Sequence, residues 1–194
     1  MQPTDARQAD AVAAAVKATV DHFGRVDGAA LLVGSILLKP AHLTTEKDWH
    51  DTIDINLNSA FHLLRHTTKA MFKTGGSIVL VSTAAARVGL PNHEAIAAAK
   101  AGVQGLARSA AASYAGRGIR VNCVAPGLVD TPLASRIVDN PRSLEASQGM
   151  HPLGRIGQPD EVASAIDWLL DPANSWVTGQ ILGLDGGLGD LKMR

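Results

Sequence analysis

Cysteine is nearly absent: Cys123 is the one sulfhydryl in 194 residues. This excludes an internal disulfide framework and any zinc site built on several cysteines, and a reducing cytoplasm is the expected compartment. Net charge is absent too, with 18 Lys+Arg balancing 18 Asp+Glu. With no basic excess to displace counterions, neither nucleic acid nor an anionic membrane surface is expected as a partner. No apolar run approaches the roughly 18–20 residues that span a bilayer. The opening MQPTDARQAD lacks the basic-then-apolar layout of a signal peptide.

What the sequence does contain is a 46% hydrophobic share, enough for a packed core and too much for a disordered chain. Its length suits one domain over 1–194. Four short apolar runs read as strands: Ala29–Val33, Ser77–Val81, Ile119–Val124 and Gln180–Leu184. Most lack clean alternation, which marks strands covered on both faces of a parallel sheet. Long helical patterns separate them. The first runs from Asp5 to Phe23. A second lies within 44–73, with a stripe of Trp49, Ile53, Leu57, Ala60, Phe61 and Leu64. A third spans Asn92 to Ala115, and Pro159-Asp160-Glu161 opens a fourth over Val162–Leu170. Alternating strands and helices with such long connections predict βαβ units, hence an α/β fold: a three-layer Rossmann-like parallel sheet of about four strands. The segment from Val129 to Met150 reads as a loop.

The third helix is dominated by alanine and carries Gly102 and Gly105. Each interior glycine costs up to about 1 kcal/mol relative to alanine. Close approach of a neighbouring element explains them better than helix propensity does.

Several segments stand in a telling register: Phe23-Gly24-Arg25-Val26-Asp27, Asp54-Ile55-Asn56-Leu57-Asn58, the stretch Val81–Leu133, the run from Pro152 to Ala163, Thr178-Gly179-Gln180 and Asp185-Gly186-Gly187. In this order and spacing they resemble the short-chain dehydrogenase/reductase family. The resemblance covers nearly the whole chain. It implies an alcohol/carbonyl oxidoreductase that uses NAD or NADP on a small-molecule substrate. Asn56, Thr83 and Lys100 fall on catalytic positions. Gly34, Lys100, Pro126, Gly127 and Thr131 fall on cofactor-binding positions. No metal is expected.

Two departures from the family pattern stand out. No G-x-x-x-G-x-G or G-x-G-x-x-G turn follows an N-terminal strand, so the pyrophosphate cradle and the ribose-reading residue are not found. Residues 1–10 resemble the end of the family's third strand, and the first β-α-β-α-β part is read as absent. Gly186-Gly187-Leu188-Gly189 opens no helix and reads as a C-terminal turn. The second departure lies at the family's tyrosine, four residues before the lysine, where Ile96 stands. The phenol is the family's general acid or base, its pKa lowered by the lysine, and isoleucine has no proton to transfer. Tyr114, fourteen residues after Lys100, would sit ~21 Å away along one helix. His93, Glu94 and Thr83 are the substitutes on offer, the His93 imidazole first among them as a chemically able acid or base.

Each candidate also has a plainer reading. Asn56 can be a satisfied core amide at a helix kink, and Lys100 a snorkelling surface residue. His62 and His66, spaced i, i+4, show no convincing third ligand. Cys123 reads as a small buried hydrophobe. Loss of the first strand would leave Ala29–Val33 as an apolar sheet edge, and the second and third helices resemble the family's paired-helix dimer surface. Both readings point to a homo-oligomer. The alternative to an oxidoreductase, impaired or inactive as the chain stands, is a non-catalytic relative that binds through its oligomer surfaces.

Overall fold

A computed structural model describes residues 2–191. Four strands, β1 (Gly28–Leu31), β2 (Gly76–Val81), β3 (Ile119–Pro126) and β4 (Ile181–Leu184), form one sheet in the order β1-β2-β3-β4. Every pairing is parallel, as the unalternated apolar runs predict. Seven α-helices accompany them: α1 (Ala9–Phe23), α2 (Glu46–Ile53), α3 (Ser59–Met71), α4 (Glu94–Tyr114), α5 (Ser135–Val138), α6 (Pro141–Met150) and α7 (Pro159–Leu170).

Alternation along each strand divides the core in two. Ile78, Leu80, Val121 and Cys123 point to one face, where they join Leu64 and Met71 of α3 and Val103 and Ala107 of α4. Val79 and Val124 point to the other, against Ile166 and Leu169 of α7. Helix, sheet and helix therefore make three layers, with α1 laid outside on α3. The helix ends carry the expected chemistry. Thr45 and Asp48 form a capping box at α2, Gln158 and Glu161 another at α7, and Gly24 closes α1 in the left-handed conformation, its N–H donating to the Val20 carbonyl.

The structure corrects several boundaries. Residues 2–8 contain no strand, and α1 begins at Ala9, later than Asp5. β1 ends at Leu31, so Leu32 and Val33 leave the ladder and are exposed. The loop expected over Val129–Met150 contains α5 and α6. Its weak apolar pattern hid α6, although Asn140 caps Ser143 and Pro141 starts the first turn.

The helix expected over 44–73 is divided by a π-helical turn, Asp54–Asn58, in which the Ser59 N–H reaches back to the Asp54 carbonyl. The packed face also differs from the apolar stripe. Thr52, Asn56, Ser59, Ala60, Leu64 and Thr67 are buried, while Trp49 and Phe61 are exposed. Hydropathy misses this face because its hydroxyls are satisfied within the helix: Thr52 donates to Asp48 O and Ser59 to Ile55 O, both at 2.7 Å.

Close packing explains one of the two glycines of α4. A Cβ at Gly102 would lie 3.0 Å from the Leu57 side chain, whereas one at Gly105 would meet nothing within 4 Å.

Candidate active site

Because the strands are parallel, the carboxyl ends of β1, β2 and β3 open on the same edge of the sheet, where α/β folds place their ligands. There they form a cleft of about 170 Å³. Gly34 and Ser35 enter it after β1, Ser82 and Thr83 after β2, and Pro126, Gly127 and Thr131 at and beyond the end of β3. The π-helical turn brings in Asn56, and α4 brings in Ile96 and Lys100. All the site residues named from the sequence therefore share one cleft, and Lys100 is its one titratable lining residue.

Asn56 is 1% exposed and fully engaged. Its Oδ1 accepts from Ser35 N at 3.1 Å, and its Nδ2 donates to Ser35 Oγ and Thr52 O, both at 2.9 Å. It thus ties the chain after β1 to the α2–α3 bend, as a satisfied core amide would. Gly34 is required by that closeness: a Cβ there would lie 3.0 Å from Asn56 Oδ1 and 3.4 Å from Lys100 Nζ. Lys100 does not snorkel. It is 7% exposed, and its Nζ donates to Val81 O at 2.9 Å. Among the described residues no carboxylate pairs with it, and burial lowers its pKa to about 8. Cys123, fully buried in β3, has its thiol pushed up to about 12 by the same cause, so it supplies no thiolate counter-charge.

The two hydroxyls at the end of β2 have separate roles. Ser82 Oγ donates to Lys100 O at 2.9 Å and accepts from Gln104 Nε2 at 3.0 Å, which commits it to α4. Thr83 holds only long contacts, donating to Pro126 O at 3.4 Å and accepting from Ala85 N at 3.3 Å. Thr83 is the hydroxyl available to a ligand.

The cleft adjoins a cavity of about 350 Å³ and shares Ile36, Thr83, Ile96, Gly127 and Leu128 with it. Ile36, Leu38, Leu90, Ile137 and Met150 make this cavity mainly apolar. His93 also lines it, at the N-cap of α4, while Glu94 is exposed and Tyr114 ends the helix on the far side. Sequence reasoning missed the wall from α6 and the residue that anchors it, His151. This imidazole is 2% exposed. Its Nδ1 lies 2.6 Å from Ser147 O and must donate there, while its Nε2 accepts from Leu128 N at 3.2 Å. Asp185 secures the turn after β4, accepting from Gly187 N at 3.0 Å and Gly189 N at 3.1 Å. The glycines there serve that turn, as read.

The absence of a side chain at Gly127 is a packing requirement, because a Cβ would lie 2.4 Å from His151 Nε2 and 3.2 Å from Asp185 Cα. Gly127→Ala is expected to displace the locked imidazole, break its bond to Leu128 and cost about 2–4 kcal/mol. Thermal melts check this; an unchanged midpoint would mean that the ring moves aside freely.

His62 and His66 lie away from this cleft on α3, and His62 Nδ1 sits 3.2 Å from Ala6 O. Among the described residues no group of three or more His, Cys, Asp or Glu side chains is placed to hold a metal. None of the described helices is long and apolar enough to cross a membrane.

Comparison with known proteins places this architecture. The family model described as Enoyl-(Acyl carrier protein) reductase matches residues 1–189. A 3-oxoacyl-(acyl-carrier-protein) reductase of Thermotoga maritima is 38% identical over 182 residues, covering 92% of this chain and 72% of that protein. A cis-4-hydroxycyclohexanecarboxylate dehydrogenase of Sinomonas cyclohexanicum is 40% identical over 186 residues, covering 95% and 74%. Among solved structures, a short-chain type dehydrogenase/reductase from Mycobacterium ulcerans superposes with a TM-score of 0.92 at 32% identity, covering 96% of this chain and 69% of that one. A gluconate 5-dehydrogenase from Burkholderia cenocepacia, in complex with NADP and tartrate, gives 0.92 at 28% identity, covering 97% and 74%. With its parallel four-stranded sheet, its cleft at the strand ends and these relatives, the chain belongs to the short-chain dehydrogenase/reductase family of oxidoreductases.

Proposed function

We propose that this chain is an NAD(P)-linked oxidoreductase of alcohols or carbonyls whose proton-transfer step is impaired. The observation that carries the reading is Ile96. It lines both the cleft and the apolar cavity, one turn before Lys100 and beside Thr83, and it has no proton to exchange. Gly34, Lys100, Pro126, Gly127 and Thr131 would hold the nicotinamide end of the cofactor. The side-chain-free approach at Gly34, with Asn56 and Lys100 just behind it, fits a flat group laid across the strand ends. When bound, that group supplies or accepts the hydride. The Thr83 hydroxyl would orient the substrate oxygen, Asn56 would keep the cleft in shape, and the Lys100 ammonium would stabilise charge on that oxygen. The apolar cavity beside them would take the body of a small-molecule substrate, and the single buried thiol of Cys123 fits a reducing cytoplasm.

Calorimetric titration with NADH and NADPH tests this, followed by turnover on a panel of aldehydes and ketones. The expected result is saturable binding, one per chain, with turnover well below the 1–10³ s⁻¹ usual for enzymes. Lys100→Ala should abolish the residual rate. Ordinary turnover would refute the impairment.

A second reading, a non-catalytic protein acting through its surfaces, is favoured by the apolar residues left exposed just past the end of β1, Leu32 and Val33, at the mouth of the cleft. The partner that would cover them is a second copy of this chain. No dinucleotide binding at millimolar concentration, together with sedimentation as an oligomer, would select this reading. A monomer at micromolar concentration would reject it.

A further inference from the structure

We propose that Lys100 is a carbonyl-capturing amine, whose Nζ condenses with a small apolar aldehyde or ketone to form an imine. The geometry favours a nucleophile. Nζ faces a cleft rather than solvent, and its hydrogen bond is to a neutral carbonyl, Val81 O at 2.9 Å. Its polar neighbours are uncharged: Asn56 behind it and the Thr83 hydroxyl across the cleft. Among the described residues no carboxylate holds the proton in place, and the Cys123 thiol stays neutral because burial pushes it up to about 12. Gly34 leaves the space against Nζ unfilled, since a Cβ there would lie in van der Waals contact with it at 3.4 Å. Ile96 stands where a phenol would otherwise compete for the substrate oxygen, and the adjoining apolar cavity of about 350 Å³ accommodates a hydrocarbon body.

The chemistry balances without an oxidant or a reductant. The Nζ lone pair forms a bond to the carbonyl carbon, and the π pair moves to oxygen. That oxygen takes the proton released from nitrogen, giving a carbinolamine. The nitrogen lone pair then forms the C=N bond as the C–O bond breaks, and the hydroxyl leaves as water with the remaining nitrogen proton. Thr83 would hydrogen-bond the oxygen through both steps. A desolvated lysine is a recognised form of activated amine nucleophile. Burial lowers Lys100 to about 8, so roughly half of it is neutral at pH 8, against well under about 1% of an ordinary lysine.

The inference rests on Lys100 and its cleft and does not require dinucleotide binding, so its test is run without NAD(P)H. The folded full chain is incubated with butanal and cyanoborohydride at pH 8, which traps any imine as a secondary amine. The adduct adds the mass of butanal less one oxygen atom, and peptide mapping locates it. The expected result is labelling of Lys100 at least about tenfold faster than the described surface lysines Lys17, Lys47 and Lys73, with the preference lost in guanidinium chloride. The α-amino group also labels near this pH and maps to a different peptide. Labelling of surface lysines with Lys100 spared, in protein that keeps its circular dichroism, would overturn the proposal. So would equal rates at Lys100 and the surface in the folded chain. Lys100→Arg, which keeps the charge but not the nucleophile, is expected to leave that peptide unmodified.

Discussion

Ile96→Tyr is expected to raise the rate of NAD(P)H-linked carbonyl reduction by roughly 10²–10⁴-fold, the usual contribution of a positioned general acid. Residue 96 lies one helical turn before Lys100 on α4 and lines the same cleft as Thr83. A phenol there would stand next to an ammonium, which lowers its pKa toward neutrality. The apolar cavity beyond residue 96, about 350 Å³, has room for the ring, so the larger side chain need not strain the core. Initial rates of NADPH oxidation with matched substrate, alongside cofactor titrations of both proteins, give the answer. Saturable cofactor binding without a gain in rate would move proton transfer to another group, with His93 next in line. No gain and no binding would mean that the cofactor cradle is missing, and the non-catalytic reading would stand.

Lys100→Met is expected to stabilise the folded chain near neutral pH by roughly 2 kcal/mol, the net of a gain of about 3 kcal/mol from removing the buried charge and the hydrogen bond lost with it. The sign follows from burial. The folded state holds Lys100 at about 8 against an ordinary value of 10.5. Between those values the unfolded chain binds more protons than the folded one, so this lysine's contribution to stability rises with pH. Its penalty is full below pH 8, shrinks from pH 8 to 10.5 and is gone above. Methionine keeps the volume and removes the charge, at the loss of the bond to Val81 O, which returns about 1 kcal/mol of the gain. Cys123 works in the opposite direction at high pH, because its thiol is held neutral up to about 12. The difference between wild type and Lys100→Met is therefore the quantity to follow. Urea unfolding at pH 7, 8, 9 and 10 should show a gap that closes as pH rises. Parallel curves would mean that Lys100 is hydrated in the folded state.

The sequence carried the architecture well. Continuous apolar strands and long intervening helices suffice for a parallel three-layer fold, because burial on both faces leaves no room for alternation. The gathering of Gly34, Asn56, Thr83, Lys100, Pro126 and Gly127 was also legible, though through family spacing and not through local pattern. What stayed hidden has physical reasons. The packed face of α2 and α3 uses Thr52, Ser59 and Thr67, hydroxyls that satisfy themselves within the helical run and so look polar to any hydropathy reading. The π-helical turn at Asp54–Asn58 leaves no compositional mark. The cavity wall from α6 is nearly neutral in hydropathy, and the part played by His151 depends on two backbone partners, Ser147 and Leu128, one of them 23 residues away.

The order of the strands has a consequence for how the molecule comes into being. Each strand pairs with the strand that precedes it in the chain, β1 with β2, β2 with β3 and β3 with β4. No strand must wait for a later one to fill a gap beside it. Pairing among these four strands can therefore proceed in chain order as the polypeptide emerges during synthesis, each new βα segment docking on a surface already made. The cleft matures late in such a sequence. Asn56, Thr83 and Lys100 are in place once β3 has paired, but the turn held by Asp185, whose Cα lies near Gly127, comes only after β4. A nascent chain would thus own its buried amine before it owns a finished pocket around it.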